Sequence, residues 1–146
     1  MARLQLTGYR CHSWLARLIS MTRPTVPKNG MAHAEWAFSA LEGSSLDPNI
    51  MLHVVVNLFA YVRGCATNVD MELESVQDTG LTEDEWLESQ GEQFARVLAS
   101  GAMHSSHDLC GADVELDVDM LFEFGLERLL DGNAALIQTR DLSTHV

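Results

Sequence analysis

Proline stops at residue 48. The chain's three prolines are Pro24, Pro27 and Pro48, so the remaining two thirds run without the one residue that must break a helix. Period-two alternation is nearly absent there, whereas apolar side chains return at three- and four-residue intervals. These features predict an all-α fold. The length of 146 residues suits one domain with a sizeable core. Apolar residues at 47% against 21% charged exclude a disordered chain.

Five long helical segments are expected. The first covers about Gly8 to Met21, with Trp14, Leu15, Leu18 and Ile19 on one stripe, and the proline-bearing stretch 22–27 ends it. The second runs from about Asn29 to Leu41, carries Met31, Ala34, Phe38 and Leu41 on a face with Trp36 beside them, and closes at Gly43. The third opens with Asp47 as N-cap and Pro48 at the first helical position. It extends to about Leu73 and is apolar on nearly every side between Ile50 and Ala66, which requires burial on more than one face. The fourth starts at a capping box, Thr82 to Glu85, with Leu81 and Trp86 placed as a hydrophobic staple, and continues to Gly101. Residues 102–112 read as a loop or short helix. The fifth spans about Asp117 to Ile137 with a broad stripe through Val118, Leu121, Phe122, Gly125, Leu126, Leu129 and Leu130. No repeat or second domain is visible, so residues 1–146 read as one domain.

Charge narrows the function classes. The net charge is −12 and uneven: residues 1–30 hold five cations and no acid, and residues 31–146 hold four arginines and 21 acids, or −17. Such a body repels phosphate, which disfavours nucleic-acid binding by the chain itself. The longest apolar stretch, Ile50 to Val62, is 13 residues and interrupted, short of the roughly 20 a membrane span needs. No signal peptide is visible. Cys11, Cys65 and Cys110 are odd in number and far apart, as expected of reduced thiols in a cytoplasmic protein.

Chemistry is sparse. No phosphate loop, nucleophile elbow or acid–base pair can be nominated, and no catalytic residue or cofactor is expected. His104, His107 and Cys110 have ligand-type side chains, but their spacing matches no closed zinc framework, so no metal site is assigned. His53, Asn57 and Tyr61 recur at i, i+4 and i+8 within an apolar helix. They suit either the polar groups of an apolar ligand pocket, a solvated strip, or hydrogen bonds across an interface. Met31, Trp36, Phe38, Met51, Phe59, Trp86 and Phe94 could wall a cavity or fill an ordinary core. Gly64, Gly125 and Gly132 sit mid-helix, where glycine costs about 1 kcal/mol relative to alanine. Close helix approach would offset that cost, either within the chain or in a dimer built from the third and fifth helices of each copy.

The ordered set of segments also resembles a family. His12-Ser13-Trp14-Leu15-Ala16, Pro24, Asn29-Gly30, Ala37 to Leu41, Tyr61-Val62-Arg63-Gly64, Gly80 to Trp86 and, most strongly, Phe122 to Gly132 are similar to C-terminal domains of TetR-type transcriptional repressors. A histidine-proline-tryptophan is common at the first of these places, and Ser13 departs from it. The resemblance implies an all-α bundle of five to six helices that binds a small, often apolar effector and dimerises through a four-helix bundle. On the matching positions it implies an effector cavity from the second, third and fourth helices and a dimer bundle from the third and fifth. Together with the residue patterns above, the expected ligand pocket is Met31, Trp36, Phe38, His53, Asn57, Tyr61, Trp86 and Phe94, and the expected dimer interface is Gly64, Phe122, Gly125, Leu126, Leu129 and Gly132. The expected function is the regulatory domain of a TetR-like bacterial repressor, cytoplasmic and homodimeric, bound to neither membrane nor nucleic acid by itself. Residues 1–20 leave no room for the helix-turn-helix head of such regulators. A stand-alone helical ligand-binding or heterodimerising module is the alternative, and an enzyme is not expected.

Overall fold

A computed structural model describes residues 1–18, 28–101 and 117–144. Seven helices and no strand occur among them: α1 (Ala2–Cys11), α2 (Ser13–Leu18), α3 (Lys28–Ser39), α4 (Pro48–Thr79), α5 (Glu83–Ser89), α6 (Gly91–Ala99) and α7 (Val118–Thr144). The all-α expectation holds, with the helix count raised by two interruptions.

The first interruption is His12, whose backbone (φ −140°, ψ 69°) leaves the helical region. What reads in sequence as one helix from Gly8 is therefore the end of α1 followed by α2. The helix also begins earlier than expected, because Ala2, Leu6 and Tyr9 form a buried stripe at i, i+4 and i+7. The second interruption is at Gln90. Ser89 Oγ donates to the Trp86 carbonyl (2.6 Å), and the Gln90 N–H is shared between the carbonyls of Trp86 and Leu87 (3.1 Å each). This tightening of the last turn ends α5 and lets α6 restart at Gly91.

The start signals act as expected. Asp47 accepts from the N–H groups of Asn49 (3.0 Å) and Ile50 (3.2 Å), and Pro48 opens α4. The Thr82–Glu85 capping box is complete: the Thr82 N–H donates to Glu85 Oε2 (2.8 Å), and the Glu85 N–H donates to Thr82 Oγ1 (3.4 Å). Gly80, at φ 71°, takes the left-handed conformation that follows α4.

The chain divides into two compact units. The first comprises residues 1–70 and 118–146, the second residues 71–117. In the first unit, Ala2, Leu6 and Tyr9 of α1, Ala16 of α2, Val62 and Ala66 of α4, and Phe122 and Leu126 of α7 form one core. By length and composition α4 could cross a membrane, but its Val55, Val62 and Ala66 are buried in this unit. Tyr61 fixes α4 against α7. Its hydroxyl donates to the carbonyls of Phe122 (2.9 Å) and Leu121 (3.2 Å), and its ring stacks on Phe122 at 5.9 Å between centroids. Gly125 makes this approach possible, because a Cβ there would stand 2.8 Å from Tyr61 Cζ.

Charge follows the same division. The first unit has eight basic and nine acidic residues, a net −1; the second has one arginine, Arg96, and twelve acids, a net −11. Three arginines of the basic N-terminal stretch meet acids of their own unit. Arg3 makes a two-pronged contact with Glu123 (2.8 and 2.6 Å), Arg10 pairs with Asp119, and Arg17 holds the buried Asp70 at 2.8 Å. Arg3 and Arg10, seven residues apart, fall on one side of α1.

Two predictions follow from this packing. Gly125→Ala is expected to destabilise the chain by about 1–3 kcal/mol through overpacking against Tyr61. Urea unfolding would check this, with a smaller loss expected in a Tyr61→Leu background. Hydrogen bonds from Arg3 and Arg10 hold the Glu123 and Asp119 carboxyls below their ordinary values. Because the folded values lie below the unfolded ones, the pairs contribute stability above the ordinary carboxylate range of about 4. That contribution is lost as the pH falls through the lowered folded values. The melting temperature should therefore drop less on acidification in the double variant Glu123→Gln, Asp119→Asn than in the parent.

Candidate functional site

A cleft of about 740 Å³ lies wholly in the first unit. The first turn of α1 (Met1 to Leu4) forms one wall, and Trp36, Ala37, Ala40 and Leu41 of α3 and the following turn form the second. Val54, Val55 and Leu58 of α4 form the third, and Leu126, Leu130, Asn133, Ala134 and Ile137 of α7 the fourth. Helical spacing explains the membership. Residues 37, 40 and 41 share a face of the turn they occupy, as do 54, 55 and 58, and 126, 130, 133 and 137. The lining is apolar except at Arg3 and Asn133. Arg3 is engaged by Glu123.

The residues singled out in sequence for a pocket occupy different places. Trp36 lines the cleft, with its side chain 55% exposed at the rim. Ala37, beside Phe38, is the buried member of that stretch, while Phe38 is half-buried and Met31 exposed. His53 and Asn57 point outward on the exposed side of α4. Tyr61 serves the α4–α7 contact, and its hydroxyl is pushed up to about 12 by desolvation, with a further contribution from Cys65. It therefore stays a neutral donor to the two carbonyls. Trp86 and Phe94 belong to the second unit, both exposed. Trp86 borders a smaller cleft of about 400 Å³ with Glu72, Ser75, Asp78, Thr79, Leu81 and Thr82. Its hydroxyls are already committed: Ser75 donates to the Met71 carbonyl, Thr79 to the Ser75 carbonyl, and Thr82 to Glu85.

The residues singled out for an interface also separate. Phe122 and Leu126 are 2% and 3% exposed in the chain's own core, and Gly125 faces Tyr61. Leu129 is half-buried. Gly64 and Gly132 are exposed, and a Cβ on either would meet nothing within 4 Å. Near them in sequence, Val56 and Ala60 of α4 and Met120, Leu121 and Phe124 of α7 are exposed as well. These two helices thus retain uncovered apolar side chains after the core is formed.

His104, His107 and Cys110 lie outside the described residues. Among the described residues, no group of three or more His, Cys, Asp or Glu side chains is arranged to hold a metal.

Comparison with known proteins decides the family. The model of the tetracyclin repressor-like C-terminal domain matches residues 1–137. The chain belongs to this family. The HTH-type transcriptional repressor DrrR1 of Streptomyces coeruleorubidus is 32% identical over 144 residues, covering 96% of this chain and 51% of its own length. This tetracyclin repressor-like domain therefore spans about half the length of the curated relative it matches. The family is one of transcription regulators rather than enzymes.

Sequence reasoning missed α1 and α7 as walls of the cleft. The signals were present: Ala2, Leu6 and Tyr9 at helical spacing before Gly8, and the stripe Leu126, Leu130, Asn133, Ile137 with one polar member. If the cleft is the open space its lining describes, Ala40→Trp and Ala134→Trp, both at exposed positions on it, should fold with little loss of stability. Their melting temperatures would lie within a few degrees of the parent's.

Proposed function

We propose that this chain is the effector-binding and dimerisation part of a TetR-like transcriptional repressor, with the apolar cleft of the first unit as the effector site. The observation that carries this reading is the cleft itself: four helices of a transcription-regulator family member enclose about 740 Å³ with an almost wholly apolar lining. That is the character of a small-molecule site, in which apolar walls supply affinity and a few polar groups supply orientation. Trp36 is the member of the sequence-derived pocket set that this site includes. The matched relative is named as a repressor, and a ligand that prefers one arrangement of a dimer shifts its equilibrium by that difference in affinity.

Dimerisation is proposed through the exposed sides of α4 and α7, with Gly64 and Gly132 at the closest approach and Leu129 beside them. Both helices leave apolar side chains exposed, and a two-fold axis would let each copy present the same face. Phe122, Gly125 and Leu126 support that face from behind. The chain is proposed to act in the cytoplasm and not to bind DNA by itself. Arg3, Arg10 and Arg17 are paired with acids.

A thermal-shift screen of small molecules tests the effector reading, since a ligand that binds only the native state raises its melting temperature. Hits should stabilise the parent and lose their effect in Ala40→Trp; hits indifferent to this substitution would place the effector elsewhere. Sedimentation equilibrium tests the dimer. The parent should sediment as a dimer, and Gly64→Arg with Gly132→Arg should give folded monomer, because neither side chain meets anything within its own chain. A monomeric parent would remove the interface.

A further inference from the structure

Within the cleft, Asn133 is out of keeping with its surroundings. It occupies the third place in the stripe Leu126, Leu130, Asn133, Ile137, is half-buried, and faces an otherwise apolar lining. Its side chain makes no hydrogen bond among the described residues. The amide is thus uncommitted among them, and it offers both a donor and an acceptor. The other polar residue of the lining, Arg3, has its Nε and Nη2 on the Glu123 carboxylate at 2.8 and 2.6 Å. No carboxylate lines the cleft. A cationic guest would thus be desolvated without a counter-charge, and for an anionic one the Arg3 charge is already balanced by Glu123; an uncharged guest bears a smaller desolvation cost. Trp36, which lines the cleft and stays 55% exposed, offers an indole able to pack against a ring.

We infer that the cleft takes an uncharged, ring-bearing apolar molecule with a carbonyl or amide edge, and that Asn133 is the residue that reads this edge. The inference rests on the cleft being the ligand site and adds the chemical class of the ligand and its specificity-determining residue. Recognition works by contrast: the aliphatic walls accept many shapes, while the single amide favours guests that satisfy it. A hydrogen bond of this kind is worth about a five- to tenfold difference in affinity.

The test uses three fluorescent probes on the full chain: the neutral naphthyl ketone Prodan, the same dimethylaminonaphthalene without its acyl group, and anionic anilinonaphthalene sulfonate. Prodan should bind the parent and be lost in Ala40→Trp. Asn133→Leu should weaken Prodan about five- to tenfold and leave the acyl-free probe within about twofold, with melting curves showing that the variant is folded. Asn133→Ala serves as the second variant should the leucine disturb packing. Prodan binding that is absent, or indifferent to Ala40→Trp, would overturn the cleft reading and this inference with it. Binding lost in Ala40→Trp but unchanged in the Asn133 variants would overturn the role of Asn133 and leave the cleft standing. An anionic probe that binds through the cleft as tightly as Prodan would overturn the requirement for an uncharged guest.

Discussion

The close contact of α4 with α7 is the constraint on which the first unit depends. Tyr61 reaches across to two main-chain carbonyls of α7 and stacks on Phe122, and it does so only because residue 125 has no side chain. That contact brings Val62, Phe122 and Leu126 together and gives α1 a surface on which to bury Leu6 and Tyr9. The same arrangement separates the faces of α7. One enters the core, one borders the cleft, and one keeps Met120, Leu121 and Phe124 exposed. A glycine that costs helix propensity locally is thus repaid in tertiary packing.

Electrostatics reinforces this packing. Taken linearly, the chain has a basic start and an acidic remainder. In three dimensions Arg3, Arg10 and Arg17 of that start meet Glu123, Asp119 and Asp70. Nearly all the net charge then resides in residues 71–117, which carry −11. Exposed pairs such as Arg3–Glu123 each contribute modestly. The Arg17–Asp70 pair differs in having a buried acid, which would be unfavourable without its partner. Arg3, Arg10 and Arg17 therefore help dock α1 and α2 on α7 and α4.

The chain belongs to a family of transcription regulators rather than enzymes. Its cleft has only two polar residues in its lining, one already engaged. The proposed chemistry of that cleft is selection by shape and by one amide. The second unit contributes a capped helix pair and a small polar cleft whose hydroxyls are occupied by the backbone and by Glu85.

Much of the fold was legible in the sequence. Scarce proline and three-to-four spacing established the helices, Asp47-Pro48 and Thr82–Glu85 marked two starts to the residue, and the ordered segments from His12 to Gly132 indicated the family. These features are local, so nearest-neighbour physics suffices to read them. The breaks at His12 and Gln90 were not legible, since neither residue is a strong breaker and each break depends on how the flanking helices pack or on a shared carbonyl. The site was legible only in kind. Sequence could say that α4 and α7 carry more apolar surface than one face can bury, but not which face each residue joins. That depends on helix rotation about contacts between residues 60 or more apart, such as Tyr61 with Phe122. For the same reason Gly125 and Gly132, alike in sequence, differ in space: one receives a tyrosine and the other faces open space. The sequence by itself determined an all-helical domain of a transcription-regulator family; only the tertiary structure decided where its cleft lies and that Asn133 lines it.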